Sequence, residues 1–243
     1  MAQVTIGILG GQTVVVVGAS SGIGLAAARA AAGAGARTVL VARSKDKLEA
    51  AARSVGGTAE AAVADMRDPA ALGAAIAGAG RIDHLVVTAV TNELYGMGVI
   101  GGLTDDKLER TLDKLRGAFY AVRAAAPALA ERGSIALISG ASGTRGIATM
   151  SILGAVNAAV TAFARGLAVE LAPVRVNSVT PGVVDTPLHD DAERARLSAW
   201  AEGDLPARRF GRPEDIAGAL LFLMTNPYVT GHDLVIDGGL TAR

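Results

Sequence analysis

At 243 residues, 51% hydrophobic and 3% aromatic, the chain has room for one large α/β core of small side chains and is too apolar for intrinsic disorder. Its 23 acidic and 23 basic residues cancel, which excludes the basic field that nucleic acid or anionic lipid would need. No cysteine and three scattered histidines exclude disulfides, thiolate metal sites and thiol nucleophiles, leave no metal centre to expect, and fit a cytoplasmic protein.

Residues 1–11 read as a lead-in, and their apolar run Val4–Leu9 is too short for a membrane span and lacks a basic leader. The β-branched run Thr13–Val17 predicts the first strand, followed by a helix over about Ile23–Gly33 that ends at Gly33-Ala34-Gly35. Thr38–Ala42 is the second strand, and Ser44 is placed to cap a charged helix that runs to about Val55. Ala59–Ala64 is the third strand, and Pro69 opens a short helix to about Gly78. After the fourth strand, His84–Thr88, a loop rich in Gly and Thr reaches Thr104, which caps a helix over Asp105 to about Leu129. Leu108, Leu112, Leu115, Phe119 and Val122 recur there at spacings of 4, 3, 4 and 3, which predicts a sheet-facing stripe. The neighbouring face, Thr111, Lys114, Ala118 and Ala121, is mostly small and suits close approach of another helix. Ser134–Ile138 and Val174–Val179 are the next strands, separated by a helix over about Met150–Leu171. Residues 185–204 are polar, acidic and helical in part, either a cover over a site or a solvated excursion. Pro213 starts a helix to about Thr225, and Leu234–Asp237 is the seventh strand. Strands alternating with helices, with no linker or repeat, predict one α/β domain: a Rossmann-type, doubly wound parallel sheet of seven strands with helices on both faces.

A strand that runs into Gly18, Gly22 and Gly24 and then a helix start is a place to hold a phosphate. Backbone N–H groups point outward there and the helix dipole favours negative charge. A second strand within βαβ distance makes dinucleotide binding the favoured reading over a plain structural turn.

With these elements in order, the chain resembles the short-chain dehydrogenase/reductase family over nearly its full length. Gly18-Ala19-Ser20-Ser21-Gly22-Ile23-Gly24 is similar to the family's glycine turn, and Asp65, followed by Met66, sits where the family binds the adenine ring. Thr88 and Ala89 follow strand four. Arg175-Val176-Asn177-Ser178-Val179-Thr180-Pro181-Gly182 resembles the sixth strand and nicotinamide-side loop, with Val184 and Thr186 beyond it. Arg212-Pro213-Glu214-Asp215 and Gly231, Asp237, Gly238 and Gly239 match its C-terminal signatures. An NAD-binding chain needs a carboxylate after the second strand for the ribose 2′-hydroxyl. This chain has Arg43 and Ser44 there, which suit a 2′-phosphate, so NADP(H) is the expected cofactor.

The resemblance also implies a Ser, a Tyr, a Lys four residues after the Tyr, and an Asn in the preceding helix. Those positions hold Gly140, Leu153, Asn157 and Lys114, and no Tyr or Lys occurs anywhere from Ser139 to Ala172. A missing positioned acid forfeits about 10²–10⁴-fold in rate. The catalytic groups are therefore unassigned, with Lys114, Tyr95 and Ser142 as candidates and Ser139 beside them. Lys114 either fills the vacated region or reaches solvent or Asp113. Tyr95 is a phenol from a new direction or a wall of the substrate site. Ser139 and Ser142 bond a substrate or only a turn. His189 and Asp190, in the excursion after Thr186, are either acid–base groups or inert surface residues. Three functions follow: an NADP(H)-dependent oxidoreductase acting on a carbonyl or alcohol with a non-standard site; a silent NADP(H)-binding sensor, scaffold or partner subunit; or a non-redox enzyme reusing the pocket. Leu153, Val90 and Gly140 predict an apolar lining and a small apolar ligand. The long apolar helices predict a homotetramer, or else a dimer.

Overall fold

The computed structural model describes residues 7–90 and 96–242. Seven parallel strands stand in the order β3-β2-β1-β4-β5-β6-β7. They are β1 (Thr13–Val17), β2 (Arg37–Ala42), β3 (Ala59–Val63), β4 (Ile82–Val87), β5 (Leu129–Ile138), β6 (Arg175–Pro181) and β7 (Asp233–Ile236). The helices are α1 (Gly22–Gly33), α2 (Lys45–Val55), α3 (Pro69–Ala77), α4 (Asp105–Ala125), α5 (Ser151–Glu170), α6 (Asp191–Asp204) and α7 (Pro213–Thr225). Side-chain alternation along β1 divides the core into two layers. Val15 and Val17 pack with residues of α3, α4 and α5, whereas Val14 and Val16 pack with residues of α1, α2 and α7. Both faces of the central strands are covered, and these strands carry apolar runs such as Val14–Val17, Val39–Val41 and Leu85–Val87.

The expected sheet-facing stripe of α4 holds only in part: Val122 is buried and Leu115 packs on the core, but Leu108 and Phe119 turn outward. Its buried face carries Thr111, Lys114, Gly117, Ala118, Ala121, Val122 and Ala125, while Leu108 and Phe119 stand 38% and 43% exposed. The small residues are the inward ones because the helix lies so close to the core. A Cβ on Gly117 would sit 2.9 Å from the Met66 sulfur. Phe119 instead packs against Tyr120 and against Phe163 of α5, with Arg123 over both α4 rings. The helix also stops earlier than expected, at Ala125, because Pro127 cannot donate a hydrogen bond; a 3₁₀ turn, Ala126–Ala128, leads straight into β5. Ser44 stands at the start of α2 but its side chain makes no capping bond.

α5 is long and apolar enough by composition to cross a membrane. In the fold it is a core helix: Val160, Ala164 and Leu167 pack in the core layer on the sheet, and Leu153 and Val156 are buried as well. At the far edge, polar side chains bolt β6 to its neighbours. Ser178 and Thr180 donate to Asp233 of β7, and Asn177 bonds Val229 O and His232 N. The Arg175 guanidinium closes the last turn of α7 through Leu223 O and Met224 O.

His84 on β4 is buried between Gln12 and Ser134, at 2.7 and 2.8 Å. Burial, aided by the nearby Arg175 charge, pushes its pKa down from 6.5 to about 4. The unfolded chain therefore binds more protons than the folded one between those values. Stability is complete above pH 6.5 and falls as the pH drops toward 4, by up to roughly 3 kcal/mol. Urea unfolding from pH 7 to pH 4 should record that loss, and His84→Gln should flatten it.

Candidate functional site

The sheet order reverses between β1 and β4, and the strand ends on that side open into a groove of about 1090 Å³. Its floor is the turn Gly18–Gly24. Gly18 has φ +94°, and a Cβ on Gly24 would sit 2.5 Å from Thr88 Oγ1 and overlap Gly18 O. These glycines are thus required by the turn's own packing, beyond any demand from a ligand. Thr88 Oγ1 donates to Val17 O at 3.1 Å and ties β4 to the same turn. Ser21 occupies the cap position of α1 without a side-chain cap bond, and no acid stands in the first turn. The helix start therefore faces the groove with its N–H groups unclaimed by side chains, as an anion site requires.

At one end, Arg43, Ser44 and Lys47 line the groove after β2. Lys47 went unnoticed in the sequence, although its position one turn beyond Ser44 on α2 was available as a signal. Arg43 is exposed and its charge is felt at Asp65. Asp65 is itself gripped by Arg67, at 2.7 Å, which holds its carboxyl below the usual carboxylate range. Asp65 and Met66 both line the groove. Ser20, Ile23, Ala89, Pro181, Gly182, Val184 and Thr186 line it too. Thr186 is the nearest neighbour of Gly22, whose Cβ would meet its methyl at 3.2 Å. The residues present thus suit a phosphorylated dinucleotide: a glycine cradle, an open helix start, two cations beyond β2 and no carboxylate immediately after it.

The centre of the groove is a polar network around Asn157. Lys114 is 5% exposed, and its Nζ donates to Asn157 Oδ1 at 2.7 Å and to Ser139 O at 2.9 Å. It neither reaches solvent nor pairs with Asp113, which lies 3.7 Å from Arg116. Asn157 Nδ2 donates to Ser142 Oγ at 3.0 Å. Ser139 donates to Asn157 O and accepts from Thr161, so its hydroxyl serves the scaffold. Ser142 is the one of the two serines whose only hydrogen bond among the described residues is the one it accepts. A Cβ on Gly140 would lie 2.7 Å from Asn157 Nδ2. Leu153 is 6% exposed and presents an apolar wall.

One wall of the groove is formed by α6 and the residues just before it. Leu197 and Trp200 line the groove with Leu188, His189, Glu193 and Arg196, as do Met97, Ile147 and Met150. His189 is not the isolated, exposed side chain the sequence suggested: it is 11% exposed, with Nδ1 3.2 Å from Glu193. Tyr95 lies outside the described residues. Among the described residues no cluster of three His, Cys, Asp or Glu could hold a metal.

Comparisons with known proteins agree with this geometry. The family model described as enoyl-(acyl carrier protein) reductase matches residues 18–241. The chain is 34% identical to a 3-oxoacyl-[acyl-carrier-protein] reductase from Bos taurus, over 93% of this chain and 96% of that protein. A solved structure titled short chain dehydrogenase/reductase family protein superposes with a TM-score of 0.87 at 34% identity, covering 97% of this chain and 99% of its own. A blue fluorescent protein from a metagenomic library, in complex with NADPH, superposes with a TM-score of 0.88 at 32% identity, covering 97% and 99% of the two chains.

The Asn157 network resists a return to the residues that the resemblance implies. Gly140→Ser alone should destabilise the protein by about 1–3 kcal/mol, because it displaces the buried Asn157 amide. Combining Gly140→Ser, Leu153→Tyr and Asn157→Lys should set a second ammonium against Lys114, and adding Lys114→Asn should relieve the repulsion. Urea midpoints of the single, triple and quadruple variants check the order.

Proposed function

The chain belongs to the short-chain dehydrogenase/reductase family, and from that premise we propose that it binds NADP(H) and acts as an oxidoreductase on an apolar carbonyl or alcohol compound, with an active site that departs from the family's. The observation that carries this reading is one groove lined by the glycine turn, an uncapped helix start and two cations after β2. Gly18, Gly22 and Gly24 with the start of α1 would hold the pyrophosphate, Asp65 and Met66 the adenine side, and Thr88, Ala89, Pro181, Gly182, Val184 and Thr186 the nicotinamide side. Arg43, Ser44 and Lys47 would meet the 2′-phosphate, which a carboxylate at this place would repel. Bound there, the nucleotide supplies or accepts a hydride. Leu153, Met97, Met150, Leu197 and Trp200 would shield that event from water and hold an apolar body.

Leu153 has no proton to exchange, so a proton would reach the substrate oxygen from another group or from water. The same residue favours a second reading, a nucleotide-binding sensor, scaffold or partner subunit without turnover. Titration separates the specificity claim: NADPH should bind at least about tenfold more tightly than NADH, and Arg43→Ala should remove most of that preference. Equal affinity for the two would sink the NADP(H) assignment. NADPH consumption with a panel of apolar ketones supports the oxidoreductase; tight binding without consumption across the panel supports the silent reading.

We also take the protein to be a cytoplasmic homo-oligomer, a tetramer or else a dimer. The support is the outward face of α4 with Leu108 and Phe119, which meets Phe163 of α5. Phe119→Glu should shift the species seen by light scattering to a smaller one without lowering helix content. An unchanged mass would exclude this face.

A further inference from the structure

We infer that Ser142 is the group that holds the substrate's oxygen, and that Lys114 fixes its direction through Asn157. The polarity of the network dictates this. An ammonium can only donate, so the atom of Asn157 that meets Lys114 Nζ at 2.7 Å has to be the amide oxygen. That fixes the other end of the amide: Nδ2 points at Ser142 Oγ, 3.0 Å away, and occupies it as an acceptor. Ser142 lines the groove and has no further hydrogen bond among the described residues, so its own proton is left to the cavity. Every link runs one way, from Nζ–H to Oδ1, from Nδ2–H to Oγ, and from Oγ–H outward. Hydrogen bonds in such a series strengthen one another, and the buried ammonium at its head adds to the pull. The end of the chain is a directed donor in an apolar cavity walled by Leu153, Met150, Leu197 and Trp200. That donor suits a ligand with an acceptor oxygen on an apolar body: a ketone, or the oxygen of an enolate or alkoxide. It suits a ligand that can only donate less well, because Asn157 Nδ2 already takes one of the two lone pairs of Ser142 Oγ.

The charge has changed helices to allow this. The resemblance implies Asn on α4 and Lys on α5; this chain has Lys114 on α4 and Asn157 on α5, in direct contact. The exchange withdraws the ammonium from the groove wall and leaves an amide and a hydroxyl to present it. Lys114 is accordingly a positioning residue. Without it the amide is released to turn over, Oδ1 would face Ser142, and the serine proton would be drawn inward.

The inference rests on the preceding reading only in calling the ligand a substrate, and its test needs no nucleotide. The probe is 1-tetralone, with 1-methylenetetralin as the partner of the same shape that lacks the oxygen. Equilibrium dialysis against the nucleotide-free protein should show saturable binding of tetralone. Ser142→Ala should weaken it roughly three- to tenfold, the worth of one hydrogen bond, while Ser142→Thr retains it and methylenetetralin is unaffected. Lys114→Met should weaken tetralone to a similar degree and add nothing on top of Ser142→Ala, since both act on one bond. Asn157→Asp covers the case in which Lys114→Met fails to fold. It keeps the contact with Lys114 but offers Ser142 only acceptors, so it too should lose tetralone affinity. The carbonyl stretch of bound tetralone should lie below its buffer value in the wild type and return toward it in each weakened variant. The inference is overturned by absence of saturable tetralone binding, by equal tetralone affinity in Ser142→Ala, or by parallel losses for methylenetetralin. Failure of NADPH to bind would overturn the oxidoreductase reading and leave these results standing.

Discussion

The contact of Gly24 with Gly18 and Thr88 decides where the rest of this molecule can stand. With no side chain on either glycine, the first turn of α1 settles directly onto the ends of β1 and β4. That approach fixes the helix start at the point where strand order reverses. The groove, the cations after β2 and the loop after β6 all take their positions from it. A methyl group on Gly24 would push α1 off the sheet, and the core layer of α1, α2 and α7 would have to follow.

The groove's function depends on which polar groups the scaffold has already used. Ser139 and Ser142 are three residues apart in the chain and opposite in fate. The first is buried and bonded on both sides to α5; the second keeps a proton for the cavity. Asn177, Ser178 and Thr180, which belong to a recognisable family signature, hold β7 and its approach to β6 and stay away from the groove. Signature residues can therefore be structural, and a residue with no family role can face the chemistry.

Much of this was legible in the chain. The β-branched runs, the glycine turn, Pro69 and Pro213 at helix starts and Arg43 after β2 are local signals, and local physics decides them. The orientation of α4 was not legible, because periodicity reports that a helix has faces but not which face is inward. Size settled that question: the tight seat beside Met66 admits Gly117 and Ala118 and turns Leu108 and Phe119 outward. The partners of Lys114 were hidden for a related reason. They lie 25 and 43 residues away, on β5's end and on α5, and only the folded chain brings them together. The membrane-like composition of α5 is the reverse case, an alarming local signal that its packed surroundings explain.

The two helix starts without side-chain caps, at Ser21 and Ser44, open onto the same groove. An anion bridging them stabilises the folded state by mass action, in proportion to the logarithm of its free concentration over its dissociation constant. A nucleotide bound in that groove would therefore tie the stability of the folded chain to its own free concentration.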